Sequence, residues 1–311
     1  MAKTAFLFPG QGSQSPGMGK SLFESFDEAR QTFEQADAAL GFSLSTLCFE
    51  GSEDDLKLTE NTQPALLTVS VAAWRVLQSQ EFRPDYVAGH SLGEWSALVA
   101  AGTLSFEDAV RLVRMRGQYM QAAVPAGVGA MAALLKLPPG KLDGILQEAA
   151  GGEVVSAANF NSPDQVVIAG HAGAVGRASE LAKAAGAKRA VALAVSAPFH
   201  CPLMKPAAER MAAQLQAVAF RDPAFPLVNN WQAKEITTAA EAKQGLIEQI
   251  PNPVCWTQTM NYLAASGVTR AVEVGPGAVL NGLLRGLEPP VRGLRFGEAT
   301  DIASIRDGLK S

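Results

Sequence analysis

Cysteine is scarce. Cys48, Cys201 and Cys255 are the only three among 311 residues, and no Cys-x-x-Cys pair occurs. An odd number of widely separated thiols excludes a disulfide framework and a thiolate zinc site. Histidine is equally sparse: His90, His171 and His200, with no His-Glu-x-x-His. No structural or catalytic transition metal is expected from these spacings. Charge is thin as well, at 18% of residues, and 26 basic against 30 acidic side chains leave a net −4. Without a long basic run, neither nucleic acid nor an anionic membrane surface is an expected partner. Long hydrophobic runs are missing too. The stretch at residues 5–8 is too short for a signal-peptide core, and the charge-free window at 190–204 is broken by Pro198 and Pro202. A cytoplasmic protein is expected.

What is present is ample apolar mass. Hydrophobic residues make up 48% of the chain, enough for a core and too many for disorder. The length is about twice that of a typical domain, so one large domain or a domain with an insertion fits.

Residues 3–8 read as a buried strand feeding the tight loop Pro9-Gly10-Gln11-Gly12. Helical patterns follow at 22–40 and 62–77, then a short strand at 85–89 and a small-residue helix at 92–101. Ser105 caps a further helix to about residue 123, with Asp108 spaced as in a capping box. The rhythm changes at Pro125-Ala126-Gly127. Strands at 129–137, 153–159, 165–170 and 188–195 alternate with helices at 139–149 and 172–185, the β-α-β-β-α-β order of a ferredoxin-like unit. After it come helices at 205–218, 239–249 and 253–266, with strands at 226–229 and 270–274. The tail beyond Pro289 gives no clear pattern. The predicted architecture is an α/β domain (residues 1–124 and 198–311) carrying a ferredoxin-like insert (residues 125–197).

Gly89-His90-Ser91-Leu92-Gly93 matches Gly-x-Ser-x-Gly between a predicted strand and a predicted helix. That setting lets a sharp turn lift the hydroxyl of Ser91 out of the sheet as a nucleophile. The bland alternative is a helix-capping serine in a glycine turn. A serine nucleophile needs a base. His90 adjoins it and should point away, and His171 reads as a cap or surface residue. His200, in an irregular segment at the insert boundary, is the favoured base, since clefts between domains are where sites occur. Cys201 is a weaker rival nucleophile. The N–H of Leu92 is one natural oxyanion donor, and the Gly10-Gln11-Gly12 loop can supply another. That loop lacks the third glycine of a dinucleotide fingerprint, and Gly12–Gly17 lacks the following Lys-Ser/Thr of a phosphate loop, so nucleotide binding is set aside.

Arg116 is the most informative charge. On a helix at about 100° per residue it falls within the apolar stripe of Ala109, Val113 and Met120. An inward arginine must meet an anion, either an internal carboxylate or a carboxylate on a substrate, unless its side chain snorkels out to solvent.

These residues carry a resemblance. Phe8-Pro9-Gly10-Gln11-Gly12-Ser13-Gln14, Gly89 to Glu94, Arg114-Met115-Arg116-Gly117, Asn159-Phe160-Asn161-Ser162-Pro163, Phe199-His200 and Glu273-Val274-Gly275-Pro276-Gly277 occur in an order that resembles the malonyl-CoA:acyl-carrier-protein transacylases of bacterial fatty acid synthesis. The resemblance implies a hydrolase-like α/β domain with a ferredoxin-like insert. It implies that Ser91 is acylated, that His200 is its base, and that the N–H groups of Gln11 and Leu92 hold the oxyanion. It implies that Arg116 holds the malonyl carboxylate and that a backbone carbonyl, at Gln249, orients the histidine in place of an acid. Asn159 and Phe199 would line the pocket. Leu92 after the serine and the Pro-Phe-His sequence look like the malonyl-selective pattern. The implied cycle is ping-pong, from malonyl-CoA to the phosphopantetheine thiol of acyl carrier protein, with no metal or redox cofactor. Carrier proteins of this type are acidic, so Arg177, Lys183, Lys188, Arg189 and Arg285 are candidate docking residues. A serine hydrolase or thioesterase, with water as acceptor, is the competing reading.

Overall fold

Residues 3–310 are described by the computed structural model. In chain order the strands are β1 (Lys3–Phe8), β2 (Tyr86–Gly89), β3 (Gly129–Leu135), β4 (Val155–Ser162), β5 (Gln165–His171) and β6 (Arg189–Ala192). They continue with β7 (Leu227–Val228), β8 (Glu235–Ile236), β9 (Val268–Val274) and β10 (Arg292–Phe296).

The larger sheet has the order β10-β9-β1-β2-β7-β8, parallel throughout except at β8. β1 runs centrally, buried at five of its six positions. Its side chains alternate between two cores, as a strand's must. Phe6 and Phe8 join the main core, with Trp74 and Trp95 from the Thr59–Ser79 and Leu92–Ala100 helices. Ala5 and Leu7 join a second core around Trp256 and Met260 of the Trp256–Ala265 helix. The sheet is thus covered on both faces, which is what a mostly parallel sheet requires. The pairing of Phe8 with Gly89 puts the ends of β1 and β2 side by side. Both chains turn outward there, and the functional loops start from that edge.

The smaller sheet is antiparallel, with the order β4-β5-β3-β6. The Leu142–Ala150 and Ala172–Ala184 helices pack on one of its faces, where Ala132 and Leu134 of β3 meet Ile145, Val175 and Ala178. The alternate residues Met131 and Ala133 point instead into the main core. This is the expected β-α-β-β-α-β unit, and its second face roofs the edge of the large sheet. We propose that the insert extends over residues 125–197, between the turn before β3 and the loop after β6.

Several elements differ from the sequence pattern. The expected 22–40 helix is two helices, Lys20–Ser25 and Asp27–Leu40, because Phe26 is extended (φ −134°). The acidic Asp27 and Glu28 then open the second helix, favourably placed for its dipole. Two short helices that the pattern did not disclose, Leu44–Glu50 and Glu53–Lys57, are each capped by a serine, Ser43 or Ser52. Ser105 does cap the Phe106–Ala122 helix, accepting from the Asp108 amide. Asp108 returns the contact to the serine hydroxyl, not to its backbone. In the tail, β10 and the Ile302–Lys310 helix appear. β10 is an edge strand buried only at Phe296, so it carries no apolar run to read.

Candidate active site

β2 ends at Gly89 and the next helix begins at Leu92, so the whole reversal is made by two residues. Ser91 stands at φ 51°, ψ −105°, a conformation costly for a residue with a Cβ. The turn is tight because backbone packs on backbone. A Cβ on Gly89 would lie 2.0 Å from the carbonyl of Gly93, and one on Gly93 would lie 2.0 Å from the Phe8 carbonyl oxygen. Only glycine fits at either place. Asn230, just beyond β7, clamps the turn. Its Oδ1 accepts from the Ser91 amide at 2.6 Å, and its Nδ2 donates to the Gly89 carbonyl at 2.6 Å.

His200 reaches the elbow from the loop that leaves the smaller sheet, at φ 58° and buried. Its Nε2 is 2.7 Å from Ser91 Oγ and its Nδ1 is 2.7 Å from the backbone oxygen of Gln249. A carbonyl can only accept, so Nδ1 carries the proton and Nε2 keeps a lone pair for the serine hydroxyl. Burial, aided by the Arg116 charge, pushes the imidazole pKa down to about 3.

Arg116 is 1% exposed and enters from the Phe106–Ala122 helix. Its Nη1 donates to Gln63 Oε1 at 2.8 Å. Its Nη2 donates to Gln249 Oε1 at 2.7 Å and to Ser91 Oγ at 3.1 Å. Its Nε is buried with no partner among the described residues. Burial lowers its pKa to about 10, so it remains charged at neutral pH. Among the described residues the carboxylate that acts on it is Glu94, which burial raises to about 8 and which makes no hydrogen bond to the guanidinium. The internal-partner alternative therefore gives way. The stripe position reflects a cation held by two neutral amides, with donor capacity to spare.

These groups surround a cavity of about 190 Å³ between the two sheets. Ser91, His200, Arg116, Gln11, Leu92, Asn159 and Phe199 all line it, with Met131 and Val167 of the smaller sheet on the roof. Gln249 lies behind the wall, reaching the cavity through Arg116 and His200. The amides of Gln11 and Leu92 make no hydrogen bond among the described residues, and the latter opens a helix whose dipole favours negative charge.

The remaining candidates are engaged elsewhere. His90 turns away from Ser91, with Nε2 2.8 Å from Asn161 Oδ1 and its ring against Trp256. His171 flanks the Ala172–Ala184 helix, where Nδ1 accepts from the Val154 amide. Cys201 is fully buried, donates to the Pro198 carbonyl, and has its thiol pushed up to about 11. No group of His, Cys, Asp and Glu side chains among the described residues is arranged to hold a metal ion. No helix among them is long and apolar enough to cross a membrane.

Sequence reasoning overlooked Gln63, Glu94 and Asn230. Glu94 had a usable signal: it is the single charge in a small-residue helix, the same anomaly that marks Arg116. Gln63 and Asn230 are neutral and short of any local pattern.

A second cleft, about 580 Å³, opens between the smaller sheet and the segment after β9, sharing Gln165 with the catalytic cavity. Lys136, Lys188, Arg189 and Arg285 stand around it. Arg177 and Lys183 do not. Arg177 is tied to the carbonyls of Ala149 and Ala150 and to Glu153, and Lys183 pairs with Glu180.

A serine on a strand–helix elbow, a buried imidazole on its hydroxyl and a ferredoxin-like roof define an acyl-transfer enzyme of the α/β-hydrolase type. The chain belongs to the acyl transferase domain family, whose model matches residues 5–300. It is 52% identical over 286 residues to the malonyl CoA-acyl carrier protein transacylase of Salmonella typhimurium, covering 92% of this chain and 93% of that one. It is 51% identical to the enzyme of that name from Bacillus subtilis, covering 92% and 90%. Among solved structures it superposes on an acyl carrier protein S-malonyltransferase from Vibrio cholerae with a TM-score of 0.95, at 46% identity over 98% of this chain and 100% of that one. A malonyl-transacylase solved with a type II polyketide synthase acyl-carrier protein gives 0.96, at 45% identity over 99% and 100%.

Proposed function

We propose that this acyltransferase moves a malonyl group from malonyl-CoA to the phosphopantetheine thiol of acyl carrier protein through a malonyl-Ser91 intermediate, supplying fatty acid synthesis. The observation that carries the reading is the double contact at Ser91 Oγ. His200 Nε2 is positioned to take its proton, and Arg116 Nη2 donates to the same atom.

Ser91 Oγ attacks the thioester carbonyl as His200 accepts its proton. The oxyanion forms against the N–H groups of Gln11 and Leu92, which are free to receive it. The Gln249 carbonyl stabilises the imidazolium, and the depressed basicity of His200 makes it a ready acid toward the departing CoA sulfur. The malonyl carboxylate lies on Arg116, whose remaining donors supply the charge-assisted pair. In the second half-reaction His200 deprotonates the carrier thiol, which attacks the malonyl-serine ester, and Ser91 recovers the proton. Each step is served by these residues, the malonyl thioester and the carrier thiol, so no cofactor is assigned. Asn159 and Phe199 shape the walls around the acyl group. Working on two water-borne carriers, the enzyme is assigned to the cytoplasm.

The test is the fate of the acyl group. Malonyl-enzyme, freed of CoA and mixed with phosphopantetheinylated carrier protein, should pass its malonyl group to the carrier. Release mainly as free malonate, with the carrier present in excess, would support the hydrolase reading instead.

A further inference from the structure

The Glu94 carboxyl group is fully buried on the Leu92–Ala100 helix, beneath the nucleophile turn. One oxygen, Oε2, accepts from Gln249 Nε2 at 2.8 Å and from the Asn230 amide at 3.1 Å. The other, Oε1, is buried over Gly245 without a partner among the described residues. A carboxyl group that carries its proton on Oε1 still accepts on Oε2, so these two bonds do not depend on its ionisation.

A primary amide has one accepting end and one donating end. Gln249 uses both inside the site: Nε2 toward Glu94 at 2.8 Å and, less closely, toward the Ser91 carbonyl at 3.3 Å, and Oε1 toward Arg116 Nη2. Arg116 can only donate, and Oε2 of Glu94 accepts, so each fixes the same orientation of the amide. Were the amide reversed, its NH2 would face the guanidinium, and one of the two buried Nη2 N–H groups would lose its acceptor, leaving Ser91 Oγ alone. A buried donor left unpaired costs about 1–3 kcal/mol, equivalent to about five- to 150-fold in an equilibrium.

We infer that Glu94 is a positioning residue for acyl-group selection: through Gln249 it holds the Arg116 guanidinium in the place where it meets both Ser91 and a substrate carboxylate. The inference rests on the reading that Arg116 binds that carboxylate. Glu94 touches no reacting atom. Its effect is on which acyl group the enzyme prefers, more than on how fast an acyl group without a carboxylate is moved.

The experiment compares kcat/KM for malonyl-CoA and acetyl-CoA in wild type, Glu94→Gln, Glu94→Met and Arg116→Ala. Glutamine keeps an accepting oxygen and should keep the malonyl-to-acetyl ratio within about threefold of wild type. Methionine fills similar volume without an acceptor and should lower the ratio by about tenfold or more. A purely structural role would depress both substrates alike and leave the ratio unchanged, which overturns the inference. So does a Glu94→Gln ratio that falls tenfold, and that arm stands even where Glu94→Met does not fold. Arg116→Ala separates the two claims. If its ratio is unchanged, the carboxylate reading itself fails. If its ratio collapses while that of Glu94→Met holds, only the role of Glu94 fails.

Discussion

His200 Nδ1 lies 2.7 Å from the backbone oxygen of Gln249, and no carboxylate occupies that place. The imidazole is held by a neutral dipole, which orients it and fixes its tautomer without adding a negative charge to a site that must accept a malonate. Substituting the Gln249 side chain leaves this carbonyl in place, so the histidine and the arginine can be perturbed separately.

The serine and histidine act as one unit. Ser91→Ala should leave no acylated protein, and His200→Ala should slow both half-reactions by about a hundred- to ten-thousandfold. The double variant should be little worse than Ser91→Ala. Losses that multiply in the double variant would show the two residues acting independently.

The depressed basicity of His200 predicts the pH profile. Burial, then Arg116 and His90, oppose its protonation, and the backbone of Gln249 and of Asn252 favours it. An ordinary histidine with pKa 6.5 would be only about a tenth neutral at pH 5.5. Here acylation by malonyl-CoA should stay within about twofold from pH 7.5 to 5.5 in rapid-quench measurements. A break near 6.5 would contradict the buried, neutral base. The same shift acts on stability. Because the unfolded chain binds this proton more readily, the contribution is complete above 6.5 and is lost as pH falls toward 3. His200→Gln should therefore flatten the fall in Tm over that range.

Arg116 should decide the acyl group. Losing its charge-assisted pair costs about 1.5–3 kcal/mol, so Arg116→Ala should lower malonyl transfer by about ten- to a hundredfold or more. Acetyl transfer should hold or improve. Arg116→Lys should rescue little, since an ammonium cannot bond Gln63, Gln249 and a carboxylate as the planar fork does. Equal losses for both acyl groups in steady-state assays would make Arg116 structural.

The acidic carrier should dock at the cleft bordered by Lys136, Lys188, Arg189 and Arg285. Charge reversal at Lys188, Arg189 or Arg285 should raise the carrier KM and weaken its salt dependence while sparing acylation by malonyl-CoA. Arg177 and Lys183, though also basic, are engaged in local pairs away from that cleft, and their reversal should change carrier kinetics less. The opposite ranking would move the docking surface onto the outer helices of the smaller sheet.

Gly93→Ala should destabilise the protein by about 3 kcal/mol or more, because the new methyl would overlap the Phe8 carbonyl and nothing there is a flexible side-chain end. Chemical denaturation measures it. A wild-type midpoint would mean that the elbow is less tightly packed than described.

The sequence discloses what is local. The elbow is five consecutive residues, and the Arg116 anomaly appears within one helix. The ferredoxin-like unit is likewise legible, because each of its strands and helices has its own apolar period. What stays hidden is held together by distant pairs of polar groups. Glu94 meets Asn230 across 136 positions and Gln249 across 155. Neutral amides leave no periodic trace, and a backbone carbonyl such as that of Gln249 has no sequence signature at all. The tail strand β10 is hidden for a different reason: an edge strand can be mostly exposed, and its pattern then resembles a loop.

The central claim is a malonyl group on Ser91 that a carrier thiol removes. Intact-mass measurement with peptide mapping tests it on the wild-type protein, first with malonyl-CoA and then with phosphopantetheinylated carrier protein. One malonyl group per chain is expected on the peptide containing Ser91, absent in Ser91→Ala and lost to the carrier on its addition. A malonyl group on any other residue, or one that the carrier thiol leaves in place, would contradict it.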